Sequence, residues 1–462
     1  MAGKGNDNGL KPINKIKLLI PFLPLIFVFI VLILRPYYLF PAAAGDTEFH
    51  LARARDILEN PFFGLFWDNL TYQPLGRPVW HQPLFNAIYA LFWYLGGVRF
   101  AQSIMCFLQV LLTVGVASWF AKKEYGLIAG FFAGFFALFV PAVYSLCIPM
   151  PAAFVPILAV LTIYYIPKDK KKAFVTSLLG LWTHMVSLAC FIPLFLVDNY
   201  KDKTNLKIIA LLLPFCLFWA GYWIYFRDRI VSHGLFYSIT HPQFLSADPS
   251  LPSFYIQISI FLIGSIGLYM LYKRNYRQFK LFSTYILIVI IVSFFGFNGD
   301  FLRGFQFSAL PIAILSSLTV QKGYEYLAKN YRSFVSILFI LSLLLYSFLG
   351  AAIFVGSLPN KETGKWENIE IPFEGNYYPL KIYIDQNTDK NQTIWTDKLR
   401  SEKLAWMTGR KVSNGLYSND KYGGTRGFNE QFQNINIYVD KESFIITNQN
   451  NQTIKEIPRE IP

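Results

Sequence analysis

Apolar runs of about twenty residues, the length that crosses a bilayer as a helix, recur along this chain, and the lysines between them keep to alternate loops. The runs fall near 16–34, 98–121, 126–145, 150–166, 207–226, 253–272, 279–297, 304–321 and 333–356, with a longer stretch at 173–198. That stretch contains Gly180, His184 and Pro193 and is expected to form two short helices meeting at the outer face. With the N-terminus inside and this stretch counted as two helices, Lys122, Lys123, Lys168, Lys170–Lys172, Lys201, Lys203, Lys207, Lys273, Lys280, Lys322 and Lys329 all fall inside. Counting one helix there would put Lys201 to Lys207 outside and break the pattern. The positive-inside bias therefore predicts about eleven spans, with the N-terminus in and the C-terminus out.

Composition agrees with a chain solvated by lipid. Only 15% of residues are charged and 54% are hydrophobic, against about 25% charged in soluble proteins. The 18% aromatic content excludes a disordered chain. The formal charge of +14 is read as membrane topology and not as nucleic-acid binding. Cys106, Cys147, Cys190 and Cys216 show no CxxC spacing, so neither a zinc site nor a disulfide framework is indicated. The first run follows a basic tail and has no small-residue cleavage site before Arg35, so it reads as a retained anchor and not a signal peptide.

The expected fold is a mainly α polytopic bundle over 1–356, followed by a small α/β extracytoplasmic domain over 357–462. Within the bundle, 35–97 forms a first outer loop carrying interfacial helices, among them Gln82 to Gly97, for which a true short span is the alternative. In the polar tail, Thr393–Asp397 and Lys411–Val412 read as strands, Lys398–Trp406 as a helix, and Ile435–Val439 with Ser443–Thr447 as a hairpin.

The chemistry gathers where the chain leaves the bilayer. Gly45-Asp46-Thr47-Glu48-Phe49-His50 is followed by Arg53 and Arg55, then by Tyr72-Gln73-Pro74-Leu75-Gly76-Arg77-Pro78 and Trp80-His81-Gln82-Pro83. The pattern is helical from Thr47, which places Asp46 at or near an N-cap and Glu48 in the first turn. Every cation on the outer side of the membrane part is arginine: Arg35, Arg53, Arg55, Arg77, Arg99, Arg227, Arg229 and Arg303. Positive-inside bias alone would deplete arginine and lysine alike, whereas arginine grips phosphate through two parallel hydrogen bonds. Arg303, at the outer mouth of a late span, calls for an anionic partner at that depth, and a lipid phosphate supplies one. Arg53 and Arg55 are also spaced to pair with Asp56 and Glu59.

An acidic residue just after the first span, a helix with His and Arg, and a Tyr-x-Pro-Leu-Gly-Arg stretch together resemble the GT-C superfamily of membrane glycosyltransferases. Within it, Tyr72–Arg77 followed by Trp80–Leu84 is most similar to the first outer loop of oligosaccharyltransferase catalytic subunits. Phe301-Leu302-Arg303 before Ala309-Leu310-Pro311 resembles that group's arginine ahead of a late helix. The sequence lacks that group's Trp-Trp-Asp-Tyr-Gly motif, which holds the acceptor peptide, and its second outer loop, Ser145–Met150, carries no acid. The resemblance therefore implies an enzyme that moves one sugar from a polyprenyl-phosphate carrier to a hydroxyl acceptor, with inversion, on the outer face. In that reading Asp46 is the general base, and Glu48, His50, Arg53, Arg77, His81 and Arg303 bind substrate. His184 reads as structural, and the loop 227–252, with His233 and His241, is long enough to be a lid. A divalent metal (Mg or Mn) held by Asp46, Glu48 and a histidine is an alternative use of the same residues. Two rival readings are an oligosaccharyltransferase-like transfer to protein asparagine and a transporter; the near absence of charge within the spans argues against the second. The tail composition and the lack of a disulfide framework suggest a prokaryotic plasma membrane, with an archaeal source as one expectation.

Overall fold

The computed structural model describes residues 19–34, 45–71, 76–79, 81–139, 149–226, 252–296, 301–331, 333–357, 378–390, 393–395, 398–412, 435–439, 443–447 and 453–458. A short 3-10 turn, Ile20–Phe22, leads into α1 (Leu23–Leu34). Helix α2 (Gly45–Glu59) starts two residues earlier than the polar pattern suggests, so Asp46 lies inside its first turn. A small hairpin, β1 (Trp67–Asp68) and β2 (Arg77–Pro78), follows. The bundle continues with α3 (Leu84–Glu124), α4 (Leu127–Phe139), α5 (Pro151–Tyr165), α6 (Lys170–Leu181), α7 (Val186–Asn199) and α8 (Lys203–Tyr225). It closes with α9 (Pro252–Arg274), α10 (Tyr276–Gly296), α11 (Phe301–Asn330) and α12 (Ser333–Ser357).

Two expected breaks appear. Gly96 and Gly97 leave helical geometry inside α3, Gly97 at φ +80°, a conformation open to glycine. The expected helix 82–97 is thus set off from the following run, although the two are continuous in chain. The stretch 173–198 divides at Trp182–Met185 into α6 and α7. Gly180 precedes that division and His184 lies within it, whereas Pro193 lies within α7 and does not end it. Asp169 and Asp202 cap α6 and α8 by accepting from Lys171, Lys172 and Thr204 backbone amides at 2.8–3.2 Å.

Among the described residues, Leu84–Glu124, Lys203–Tyr225 and Tyr276–Ser293 are long and apolar enough to cross a membrane, and shorter apolar helices accompany them. The apolar core runs through the bundle, with Phe120, Phe132, Phe136, Val160, Phe191 and Leu315 among its buried members. At the far end from α2, Asp198 ties Lys170, Asn205 and Arg277 together, joining α6, α7, α8 and α10.

The polar tail forms α13 (Tyr378–Asn387), β3 (Thr393–Trp395), α14 (Lys398–Thr408), β4 (Lys411–Val412), β5 (Ile435–Val439), β6 (Ser443–Thr447) and β7 (Thr453–Pro458). The sheet order is β4-β3-β5-β6-β7, parallel around β3 and antiparallel from β5 onward. Among the described residues, this segment shares its buried core with the bundle. Leu404, Ala405, Met407, Val412 and Ile394 share one buried cluster with Leu51, Ala52, Ala54, Leu70, Phe85 and Tyr89 of the first loop and α3.

Candidate functional site

The site is built on α2, which presents three faces to three neighbours. Toward α3, His50 Nδ1 lies 2.9 Å from Asn86 Oδ1, a pairing in which the imidazole donates. Burial holds His50 well below its usual value, at about 4, against the smaller opposing pull of Asn86, so the ring is neutral at pH 7. Its ring stands 5.5 Å from that of His81, and His81 stands 5.5 Å from His184. The three imidazoles form a buried row from α2, across the segment before α3, to the α6–α7 turn, where His184 meets Phe307 of α11. His184 Nδ1 accepts from the Val186 amide at 3.3 Å.

Toward the hairpin, Arg53 Nη1 is 2.6 Å from Asp56 Oδ2 and 3.3 Å from Asp68 Oδ1, and its other terminal nitrogen donates to the Gly64 and Trp67 carbonyls. Arg77 Nε donates to Asp68 at 3.0 Å and Nη2 to Glu402 at 3.1 Å, while its guanidinium stands over the Phe49 ring. Asp68 also accepts from Thr71 Oγ1 and from the Leu70 and Thr71 amides. Burial would push Asp68 up; the Arg53 and Arg77 guanidiniums outweigh it and hold the carboxyl at about 2. The expectation that Arg53 and Arg77 grip a lipid phosphate thus meets a different arrangement: both are bound to carboxylates of the protein. The alternative pairing of Arg53 with Asp56 and of Arg55 with Glu59 is the one present.

Toward the tail, Glu48 is buried and lies 3.7 Å from Lys403 Nζ of α14. Burial pushes Glu48 up to about 7, with Lys403 opposing. Arg55 Nη1 donates to the Trp406 carbonyl at 2.7 Å, and the Val412 amide donates to the Leu70 carbonyl at 2.7 Å. Gly409, at φ +67°, lies directly under the Arg55 guanidinium, where a Cβ would collide with it.

The structure therefore brings His50 and His81 together beside α2, with Glu48 of the same helix turned to Lys403. The side chains of Asp46 and Arg303 lie outside the described residues, as do Tyr72–Leu75, Trp80, most of the second outer loop, and the expected lid with His233 and His241. Asn69 donates its side-chain amide to Asp56 and to the Trp67 carbonyl. Sequence reasoning missed Asp68, Glu402, Lys403 and Asn86. The one available signal was Glu402-Lys403 standing immediately before the apolar Leu404–Met407. Among the described residues no group of three or more His, Cys, Asp and Glu is arranged to hold a metal ion. Of the expected set of Asp46, Glu48 and a histidine, His50 is turned to Asn86 and Glu48 to Lys403, while the Asp46 side chain lies outside the described residues.

This arrangement of helices, with the docked α/β tail, shares its fold with solved membrane proteins at low sequence identity. The archaeal oligosaccharyltransferase AglB from Archaeoglobus fulgidus, solved with an inhibitory peptide and a dolichol-phosphate, superposes at a TM-score of 0.62 with 13% identity, over 92% of this chain and 69% of that one. ArnT from Cupriavidus metallidurans, solved with undecaprenyl phosphate, superposes at 0.57 with 10% identity, over 96% of each chain. No family model and no curated protein sequence matches.

Proposed function

We propose that the chain is a multi-pass plasma-membrane glycosyltransferase that moves a sugar from a polyprenyl-phosphate carrier to a hydroxyl acceptor on the outer face. The observation that carries this reading is the fold shared with two proteins solved with polyprenyl phosphates, seen beside an acidic, histidine-bearing helix in the first outer loop. The topology behind it is about eleven spans, N-terminus inside, with the tail from 357 outside, in a prokaryotic plasma membrane; the reading requires an outer leaflet with a prenyl carrier.

In this mechanism Asp46 takes the proton of the acceptor hydroxyl. The oxygen attacks the anomeric carbon as the bond to the phosphate oxygen breaks, so configuration inverts and the lipid phosphate leaves as an anion. Arg303, at the head of α11, neutralises that charge. Glu48 receives sugar hydroxyls, and the neutral His50 and His81 orient the donor or acceptor. Arg53 and Arg77 serve the site at one remove, by fixing the hairpin against α2 and α14. The acceptor is a glycan, a lipid-linked glycan or a protein hydroxyl. The likeness to AglB favours a second reading, transfer of a lipid-linked oligosaccharide to asparagine; the missing Trp-Trp-Asp-Tyr-Gly motif weighs against it.

The test is a transfer assay in nanodiscs with a panel of lipid-phosphate sugars, with and without chelator. Asp46→Asn is expected to lower turnover by about 100-fold or more, the usual range for a lost general base. Near wild-type transfer by the folded variant would remove Asp46 from that role.

A further inference from the structure

Three arginines of the first loop are already engaged: Arg53 with Asp56 and Asp68, Arg77 with Asp68 and Glu402, Arg55 with Glu59 and the Trp406 carbonyl. The cation that reaches the first turn of α2 comes from the other end of the chain. Lys403 of α14 lies 3.7 Å from Glu48, with its side chain only 11% exposed. Its helix is held in place: the preceding residue, Glu402, accepts from Arg77, and the apolar side of α14 packs into the cluster under α2. In the same turn of α2, the Thr47 hydroxyl is buried and has no hydrogen-bond partner among the described residues. A buried hydroxyl without a partner is costly unless a ligand supplies one. The opening turn of a helix favours an anion through its free amides and its dipole, and a lysine ammonium adds a compact point charge suited to phosphate.

We propose that Lys403 and Thr47 bind the phosphate of the lipid carrier, so that the C-terminal segment supplies part of the donor site. The proposal rests on the lipid-phosphate reading given above and deepens it. It makes the tail a working part of the site, and it accounts for a buried lysine on a side of the protein where the membrane part uses arginine throughout.

The experiment measures binding of undecaprenyl phosphate and of the neutral alcohol undecaprenol to the full-length protein in nanodiscs, by intrinsic tryptophan fluorescence. Lys403→Met is expected to weaken the phosphate at least about tenfold, the scale of one lost charge-assisted hydrogen bond, and to leave the alcohol unchanged. Thr47→Val is expected to weaken the phosphate about threefold or more, and Lys403→Arg to stay near wild type. Adding Glu48→Gln to Lys403→Met should give no rescue. Wild-type preference for the phosphate with an unchanged Lys403→Met variant would overturn the proposal. So would rescue by Glu48→Gln, because the lysine would then be only a counterion. Should Lys403→Met fail to fold, Lys403→Gln and Thr47→Val carry the test by the same thresholds. A wild type that binds phosphate and alcohol equally would sink the lipid-phosphate reading itself, and this proposal with it.

Discussion

Replacing Arg77 with methionine removes the charge that joins the first loop to the tail while keeping most of the side chain's bulk. Two ion pairs go at once, to Asp68 at 3.0 Å and to Glu402 at 3.1 Å, and both carboxylates are almost fully buried. Asp68 keeps Arg53, Thr71 and two backbone amides, so the loss falls mainly on the Glu402 side. Breaking a buried pair by removing one partner costs about 3–5 kcal/mol. At 1.4 kcal/mol per decade that is roughly 100- to 3000-fold in the local opening equilibrium. Hydrogen exchange on the full-length protein in nanodiscs reads this directly, because amides of α14 and β4 exchange through local release of the tail. Their exchange is expected to accelerate by that factor, while amides of α5 and α11 in the bundle core keep wild-type rates. A further Glu402→Leu change should recover much of the loss, since a buried pair replaced by apolar groups is often neutral. Exchange in α14 within about threefold of wild type would refute the reasoning, because the buried pairs would then contribute nothing to holding the tail.

Glu48 gives the stability a pH dependence of known sign. Burial raises its carboxyl from 4.5 to about 7, so its contribution is fully present below about pH 4.5 and is lost as pH rises through 7, about 3 kcal/mol in all; Glu48→Gln should remove that decline in a denaturation series from pH 5 to 8. Gly409→Ala forces a left-handed backbone on a side chain, about 1–2 kcal/mol, and drives the Arg55 guanidinium off the Trp406 carbonyl; faster proteolysis within 398–412 is the expected readout.

Local patterns carried far along this chain. Hydropathy placed most helices of the bundle within a few residues, whereas the run expected at 304–321 belongs to a helix that continues to Asn330; a segment in lipid must satisfy its own backbone and so declares itself by length and polarity. Gly96–Gly97 and the Gly180–His184 region announced the two breaks, and the tail's short strands and helix were legible from side-chain alternation and a glycine stop. The acid-and-histidine helix at 45–59 was legible too, as were the Arg53–Asp56 and Arg55–Glu59 spacings, since partners three or four residues apart on a helix are neighbours by geometry alone. What the sequence left open was which of two uses each arginine had, and that depends on groups far away in the chain. Only the tertiary structure set Arg77 against Glu402, stacked His50, His81 and His184 in one row, and carried Lys403 to Glu48. No periodicity encodes such meetings: they follow from the docking of α14 on α2, where a shared apolar cluster brings the buried charges of the two segments within reach of one another.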